Sequence, residues 1–468
     1  MAASTPTPTV AALPATPSAV KQTVSDAFVD LRTAGWAQQY LPELMEKEAE
    51  VFGNRTISGF LAQVGAEEAM ASDQVVWSEQ GRLHVSAAGA FADGTALAAD
   101  TITAAGHSIR VNDTVVLNQV SVGTLKCLVT AVTANTYTCF PYTQATMDAS
   151  ATGDITFLAG TAVTGFVYGS EYKKGTNGRA ESLEPSFASL TNKPAIIKDL
   201  YEVSGSDASQ IGWIEVSGEE GQNGYLWYLK ASGDTMSRFT DYCEMTCIEG
   251  ELTATSAGTT TPLGAISGTE GLFAAVENRG NVTSGGFDNA TDALGTFDNI
   301  LKRFDSQGAI EENMMFLNRD NSLSIDDMLA GQNSYGSGGT SYGVFNNDAD
   351  MALNLGFSGF RRGSYDFYKS DWKYLNDATL RGAFTDINGI IVPAGVSNVY
   401  DQMLGKNMKR PFLHVRYRAS QTESRKMKTW ITGSVGAATS DIDAMEVNYL
   451  SERCLVTQGA NNFMLLTD

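Results

Sequence analysis

Residues Ser217 to Gly250, SGEEGQNGYLWYLKASGDTMSRFTDYCEMTCIEG, decide how the rest of the chain is read. Tyr225, Leu229, Met236, Phe239, Cys243 and Cys247 recur at steps of three, four or seven, the spacing of one helical face. Lys230, Asp234, Arg238, Asp241 and Glu244 fall mostly on the other side, so the stretch predicts an amphipathic helix. Ser217, followed by Glu219 and Glu220, is the expected start, with carboxylates where the helix dipole favours them. Gly250, just past the last apolar position, is the expected stop. At 1.5 Å per residue such a helix is a rod of roughly 40 Å, long enough to act as a spine across which sheets are laid. An ordinary core helix is the plainer reading of the same spacing.

Working outward, the 468 residues allow two to four domains with ample core, and an apolar content of 43% excludes a disordered chain. The formal net charge of -21 opposes a role in coating DNA, because phosphate neutralisation needs a positive surface. Five cysteines are an odd number in a long chain and do not form a disulfide framework. Cys127 and Cys139 fall on adjacent predicted strands, with free thiols the expected state. Cys243 and Cys247, one turn apart, are expected to pack as small apolar residues, a metal pair being the alternative. The N-terminus shows neither a basic start nor an apolar h-region, and no run of about 18 apolar residues occurs, so secretion and membrane spanning are not expected.

Met1 to Val20 are Ala, Pro, Thr and Ser, with the first charge at Lys21, and predict a mobile arm tip. Ser25 to Gly53 turn helical, with a break at Pro42, and a third helix is predicted over Ile57–Met70. From Gln74 the texture is β-rich. Residues 74–84 (QVVWSEQGRLH) begin a long excursion that residues 168–178 (YGSEYKKGTNG) close. Inside it, strands at Ser108–Leu117, Lys126–Thr133 and Tyr137–Pro141 predict a small barrel-like module, the alternative being one edge of a larger sandwich. After Gly250, helices are predicted at Thr269–Asn278, Ala290–Ser306 and Ser324–Met328. Strands are predicted at Glu312–Asn318, Phe357–Phe367, Trp372–Leu375 and Gly389–Pro393. Leu413, Val415 and Tyr417 alternate with His414, Arg416 and Arg418, predicting a half-buried strand with a basic face. Strands at Lys426–Thr432, around Met445–Tyr449 and at Phe463–Leu466 complete the chain.

Chemical motifs are sparse. His84, His107 and His414 each stand alone, and no zinc, Walker or dinucleotide pattern occurs. Gly339-Thr340-Ser341-Tyr342-Gly343 matches G-x-S-x-G but lies in a Gly/Ser loop with no strand before it, so a serine hydrolase using Ser341 is the weaker alternative. Ser170-x-x-Lys173 and Ser370-x-x-Lys373 lack the companion motifs of their class. Asp326-Asp327 and Asn346-Asn347-Asp348 lack calcium-loop spacing and read as solvated loop charge. No cofactor or metal is expected. The run Lys406, Lys409, Arg410, Arg416, Arg418, Arg425, Lys426 and Lys428 is opposed only by Glu423, which predicts docking on an acidic neighbour. The helix of another copy carrying Glu43, Glu46, Glu48 and Glu50 is one candidate, packaged nucleic acid another.

The derived order is a helical arm, a long β excursion, a spine helix, a mixed α/β region and a closing β segment. With Trp77-Ser78-Glu79-Gln80-Gly81-Arg82-Leu83-His84, Gly356-Phe357-Ser358-Gly359-Phe360, Arg362-Gly363-Ser364-Tyr365 and Lys373-Tyr374-Leu375-Asn376-Asp377, it resembles the major capsid proteins of tailed bacteriophages, of the type found in marine and crAss-like phages. The resemblance implies an α+β, HK97-like capsid fold. It implies a flexible tip over residues 1–22, a helical arm over 23–73, and an extended loop over 74–178 carrying an inserted β domain at about 106–160. It further implies a peripheral domain with the spine helix over 179–250, an axial domain over 251–405 and returning peripheral strands over 406–468. Such proteins form pentamers and hexamers that tile an icosahedral shell around double-stranded DNA, in the virion, after assembly in the bacterial cytoplasm. Portal, scaffolding, decoration and head-fibre proteins are the implied partners, with no membrane and no enzymatic activity.

The contact residues expected between subunits are Trp36, Tyr40, Glu43, Glu46, Trp77, Glu79, Arg82, Lys173, Lys174, Arg416, Arg418, Arg425, Lys426 and Lys428. Ser25–Ala71, Trp77 and Arg82 are expected to be covered only in the assembly. Two features depart from the family: few residues precede the first helix, and the inserted module is not part of the minimal fold. A secreted or surface-layer β protein remains the alternative, fitting the acidity and the Thr/Gly richness.

Overall fold

The computed structural model describes residues 59–64, 66–94, 100–148, 154–179, 182–183, 187–208, 215–217, 223–253, 266–285, 287, 293–308, 310–332, 359–394, 396–401, 406–434 and 440–468. All belong to the second of two units, Thr56–Asp468. The helices expected before Gly53, the Gly/Ser loop with Ser341, and Asn346–Asp348 lie outside the described residues.

A short helix α1 (Phe60–Val64) leads into β1 (Ala66–Met70), so the third helix expected over Ile57–Met70 ends early and its second half is a strand. The sequence AEEAM alternates between half-buried and exposed, which a strand satisfies. β2 (Val75–Gln80) starts the excursion. β3 (Ser86–Ala92), β4 (Thr101–Thr103), β5 (Asp113–Gln119), β6 (Gly123–Val132), β7 (Thr136–Pro141) and β8 (Ala162–Ser170) close into a barrel in the order β3-β4-β7-β6-β5-β8. β9 (Phe187–Asn192) returns antiparallel to β2. The module is therefore a closed barrel whose strands run from Ser86 to Ser170, wider than the expected 106–160. The strand predicted from Ser108 begins only at Asp113, after Asn112 turns the chain with φ 67°. Its core, including Phe91, Ile102, Leu117, Cys127, Tyr137, Cys139 and Phe157, draws only on residues 87 to 167.

β10 (Ala195–Ser204) and α2 (Gly205–Ala208) precede a small ladder of β11 (Glu215–Ser217) and β12 (Asn223–Tyr225). Ser217 thus does not cap a helix: the stretch from Gly218 to Gly224 carries three glycines and is a poor helix former. The spine helix α3 is Leu226–Glu249, and Gly250 stops it as expected, its N–H donating to the Thr246 carbonyl at 3.1 Å. The buried face is Phe239, Cys243, Cys247 and Ile248. Met236, expected on that face, is 46% exposed, and Glu244, expected outside, is buried.

α4 (Leu272–Arg279), β13 (Asn281–Ser284), α5 (Ala293–Gln307), β14 (Glu312–Leu317), α6 (Arg319–Gln332), β15 (Gly359–Arg362) and β16 (Tyr365–Asp371) follow. Gly363, at φ 63°, turns β15 into β16, dividing the single strand predicted there. Trp372–Leu375 is not a strand: α7 (Lys373–Asn376) occupies it, bridging two sheet strands. β17 (Ile387–Pro393), β18 (Val396–Asp401), β19 (Lys406–Pro411), β20 (Leu413–Arg418), β21 (Lys428–Gly433), β22 (Ala444–Thr457) and β23 (Met464–Thr467) complete the chain.

In the mixed sheet β13-β23-β17-β14-β16-β15 the central strands β14, β17 and β23 are buried on both faces, which explains their apolar runs MMFL, IIVP and MLL. Alternate residues divide between two cores. Met315, Leu317, Ile391, Met464 and Leu466 meet Phe297, Ile300 and Phe304 of α5. Phe316, Ile390, Val392 and Leu465 face the opposite way, into a cluster with α4, α7 and the end of α3. Gly389 permits close packing here, since a Cβ would lie 2.6 Å from the Phe316 carbonyl oxygen. The second sheet runs β1-β20-β22-β10, with β21 also on β22. Its Leu413, Val415 and Leu455 enter the same shared cluster. Of residues 406–468, β19 pairs with β18 in a separate ladder, β20, β21 and β22 lie in the second sheet, and β23 joins the first.

All five cysteines are buried free thiols. Among the described residues no helix is long and apolar enough to cross a membrane. The burial pattern of α3 predicts that Phe239→Ala costs about 3–5 kcal/mol of stability, whereas Met236→Ala changes it by no more than about 0.5 kcal/mol, as read by urea denaturation.

Candidate assembly surfaces

The hairpin root is the first surface that positions expected contact residues. β2 and β9 pair from Val75↔Asn192 to Gln80↔Phe187. Alternation directs Val75 and Trp77 inward, against Met70, Cys454, Val456 and Leu190. Trp77 is only 8% exposed in the single chain, so the expectation that it is covered only on assembly is corrected: its own sheet covers it. The Arg279 guanidinium lies 5.7 Å from the indole centroid and pairs with Glu270 at 3.1 Å. Glu79 accepts from the Trp77 indole N–H at 3.1 Å and from the Gly459 amide at 2.9 Å. Asn192, fully buried, donates to the Glu270 and Leu455 carbonyls at 2.9 and 2.6 Å. Arg82, one turn beyond, donates to the Ser306 carbonyl of α5. The excursion therefore leaves a root fixed on both strands.

The second surface is the later part of the basic run, Arg416 to Lys428, gathered at the β1-β20-β22 sheet. Lys406, Lys409 and Arg410 lie on β19, paired with β18 in a separate ladder. Arg416 meets Glu68 at 2.9 Å, and Lys426 meets Glu67. Arg418 pairs with Asp73 and, at 3.2 Å, with Glu452; Arg425 reaches Glu452 at 2.7 Å, and Lys428 meets Glu423 at 2.5 Å. Glu452 is a buried carboxylate, so two guanidiniums are needed to compensate its desolvation. The acids that meet these five cations belong to their own chain. Sequence reasoning missed Glu67, Glu68, Asp73 and Glu452, although Glu67-Glu68 on an alternating segment was a readable signal. His414, assigned to the basic outward face, is 1% exposed, because the hairpin root covers the face it shares with Val456.

The N-terminal segment is tied in by a third set of contacts. Phe60 stacks on Trp372 at 4.5 Å and meets Phe316 edge-on at 4.6 Å. The Glu244 carboxylate of α3 accepts from the Gly59 and Leu61 amides at 2.8 and 3.0 Å. Burial pushes the Glu244 carboxyl above its usual range, and those amides pull it back. β1 then pairs parallel with β20 from Ala66↔His414 to Met70↔Arg418.

Lys173 and Lys174 stand apart from these groups, exposed on the loop that leaves the barrel. At its base Arg179 pairs with Asp113 and bonds the Tyr172 hydroxyl at 3.0 Å, while Tyr142 donates to Glu171 at 2.6 Å. Trp36, Tyr40, Glu43 and Glu46 lie outside the described residues. Asp326, read as solvated loop charge, is instead on α6 and paired with the buried Lys369 at 2.5 Å. One group of three carboxylates, Asp93, Asp100 and Asp148, has oxygens within 4.8 Å of one another; Asp100 is already engaged by the Met147 amide at 2.7 Å.

The paired cations predict that Arg418→Ala with Arg425→Ala, which strands Glu452 without a partner, costs about 3–5 kcal/mol. Adding Glu452→Gln should recover a large part of that loss in the same urea titration.

No family model matches this chain, and no curated protein matches it. Among solved structures, the chain is similar to one from Gordonia phage Cozz, at 9% identity and a TM-score of 0.42, covering 97% of this chain and 99% of that one. It is similar to one from Mycobacterium phage Ogopogo, at 12% identity and a TM-score of 0.40, covering 94% and 100%. It is also similar to the asymmetric unit of the bacteriophage PhiM1 mature capsid, at 8% identity and a TM-score of 0.38, covering 91% of each chain.

Proposed function

We propose that this chain is the major capsid protein of a tailed phage, with an HK97-like arrangement. The observation that carries the proposal is the hairpin β2–β9. It leaves a fully packed two-sheet body from a fixed root and ends in a barrel whose core is entirely its own. A barrel built this way contributes nothing to the body's core, so its value lies in reaching something else. In this reading residues 74–178 are the extended loop, α3 is the spine helix, the β1-β20-β22-β10 sheet is the peripheral domain and the β13-to-β15 sheet is the axial domain.

Copies assemble as pentamers and hexamers into an icosahedral shell enclosing double-stranded DNA, with no sequence-specific contact and no catalytic step. The net charge of -21 agrees with a shell that contains DNA without coating it. Trp36, Tyr40, Glu43 and Glu46 of the arm and Lys173 and Lys174 of the barrel loop are the proposed contacts between subunits. The cations from Arg416 to Lys428 hold β1 to its own sheet and set the position from which the arm departs. Portal, scaffolding and decoration proteins complete the particle, which assembles in the host cytoplasm.

Negative-stain electron microscopy of the concentrated protein, coexpressed with its neighbouring genes, should show closed shells or rings of five and six. Dispersed monomers under every condition would contradict the proposal.

A further inference from the structure

The barrel exterior has two unlike sides. Outward positions on β4 and the first half of β7 are Thr101, Thr103, Thr136 and Thr138. On β5, β6, β7 and β8 a group of large apolar side chains also points outward, beside the polar Asn118, Thr124, Thr130 and Thr164. Phe166 and Tyr168 are each 50% exposed, Tyr142 is 47% exposed, and Val116, Leu128 and Phe140 are half-buried beside them. Register makes them neighbours: Phe166 lies opposite Val116, Val116 opposite Lys126, and Leu128 opposite Phe140. Tyr142 continues the row, its amide bonded to the Lys126 carbonyl at 3.0 Å. The row Phe166, Val116, Lys126 and Tyr142 thus crosses the barrel as a mixed aromatic and aliphatic wall with one lysine in it, a contact surface without its partner.

Charge says what the partner is. Between Arg82 and Arg179 six carboxylates balance six Lys and Arg, so the whole net charge of -21 lies outside this segment. Two bodies that acidic repel each other, and the neutral barrel is the part that approaches a second body without that penalty. The wall itself is flanked by cations: Lys126 stands exposed within it, and Lys173 and Lys174 are exposed on the adjoining loop. The nearest acid, Glu171, is occupied by the Tyr142 hydroxyl.

We propose that this wall docks on the acidic body of a second copy of the chain, an inference that rests on the capsid reading. Phe166, Tyr168 and Tyr142 supply the dry contact, and Lys126, Lys173 and Lys174 meet carboxylates outside residues 82–179 of the other copy.

The test is zero-length carbodiimide coupling on shells grown from an equal mixture of light and 15N-labelled chains. Mixed-label peptides joining Lys126, Lys173 or Lys174 to carboxylates outside 82–179 are expected; same-label products alone would overturn the proposal. In parallel, Phe166→Ser with Tyr168→Ser should raise the protein concentration needed for shells by roughly tenfold or more, with the barrel still folded by near-UV circular dichroism. Lys126→Glu serves as the second variant should that pair not fold. Shells formed equally well by the variants would contradict the docking proposal alone. Wild-type chain that forms no shells would contradict the capsid reading, and the docking with it.

Discussion

The stack of Phe60 on Trp372 sits where the N-terminal segment, the end of the spine helix and both sheets meet. Trp372 terminates β16, Phe316 lies in the adjacent strand β14, and Phe60 belongs to the segment preceding β1. Around them gather Cys247 and Ile248 from the spine helix, Leu272 and Val276 from α4, and Leu413, Val415 and Leu455 from the second sheet. Burying such side chains stabilises by about 1.5–3 kcal/mol each before the entropic cost of ordering them. Two sheets, the helices α3, α4 and α7 and the N-terminal segment therefore share one core. The consequence for function is rigidity: a hairpin rooted at Trp77 on the far face of the second sheet inherits a fixed direction.

The barrel follows a different rule. Its buried apolar residues pack only on one another, its strands close without a free edge, and its charges cancel within the segment. Such a module can be carried at the end of a two-stranded ladder without drawing on the body for stability. A strongly acidic chain that must associate with itself needs contact regions where repulsion is relieved, and here electrostatic neutrality coincides with exposed aromatic side chains. Salt bridges take the other role: from Arg416 to Lys428 they neutralise acids within the chain, and the two guanidiniums on Glu452 make β1, β20 and β22 one electrostatic unit.

Much of this was legible in sequence because periodicity is local. Phe297, Ile300 and Phe304 mark α5 by helical spacing, and β14, β17 and β23 announce double burial by uninterrupted apolar runs. Gly250 marks the end of the spine helix. What failed was set by tertiary context. Ser217 looks like a cap until β11 and β12 pair, and Met236 keeps helical spacing with Phe239 yet is exposed where Phe239 is buried. Glu244 is buried because the Gly59 and Leu61 amides come to it from 185 and 183 residues away, a relation no local pattern carries. The basic run was visible as a charge asymmetry, but its partners Glu67, Glu68 and Glu452 are fixed by strand pairing. The barrel wall was not readable, since its rows exist only once the register of β5, β6, β7 and β8 is set.

The N-terminal segment, the end of the spine helix and both sheets share one core. Native-state hydrogen exchange on the dilute chain tests it most directly. Amides of β1, the last two turns of α3 and β17 should open together in one cooperative unit, and Phe60→Ala should lower the protection of all three by a common amount. If β1 exchanged freely while β17 and α3 stayed fully protected, the shared core would be contradicted, and with it the fixed hairpin root on which the functional reading depends.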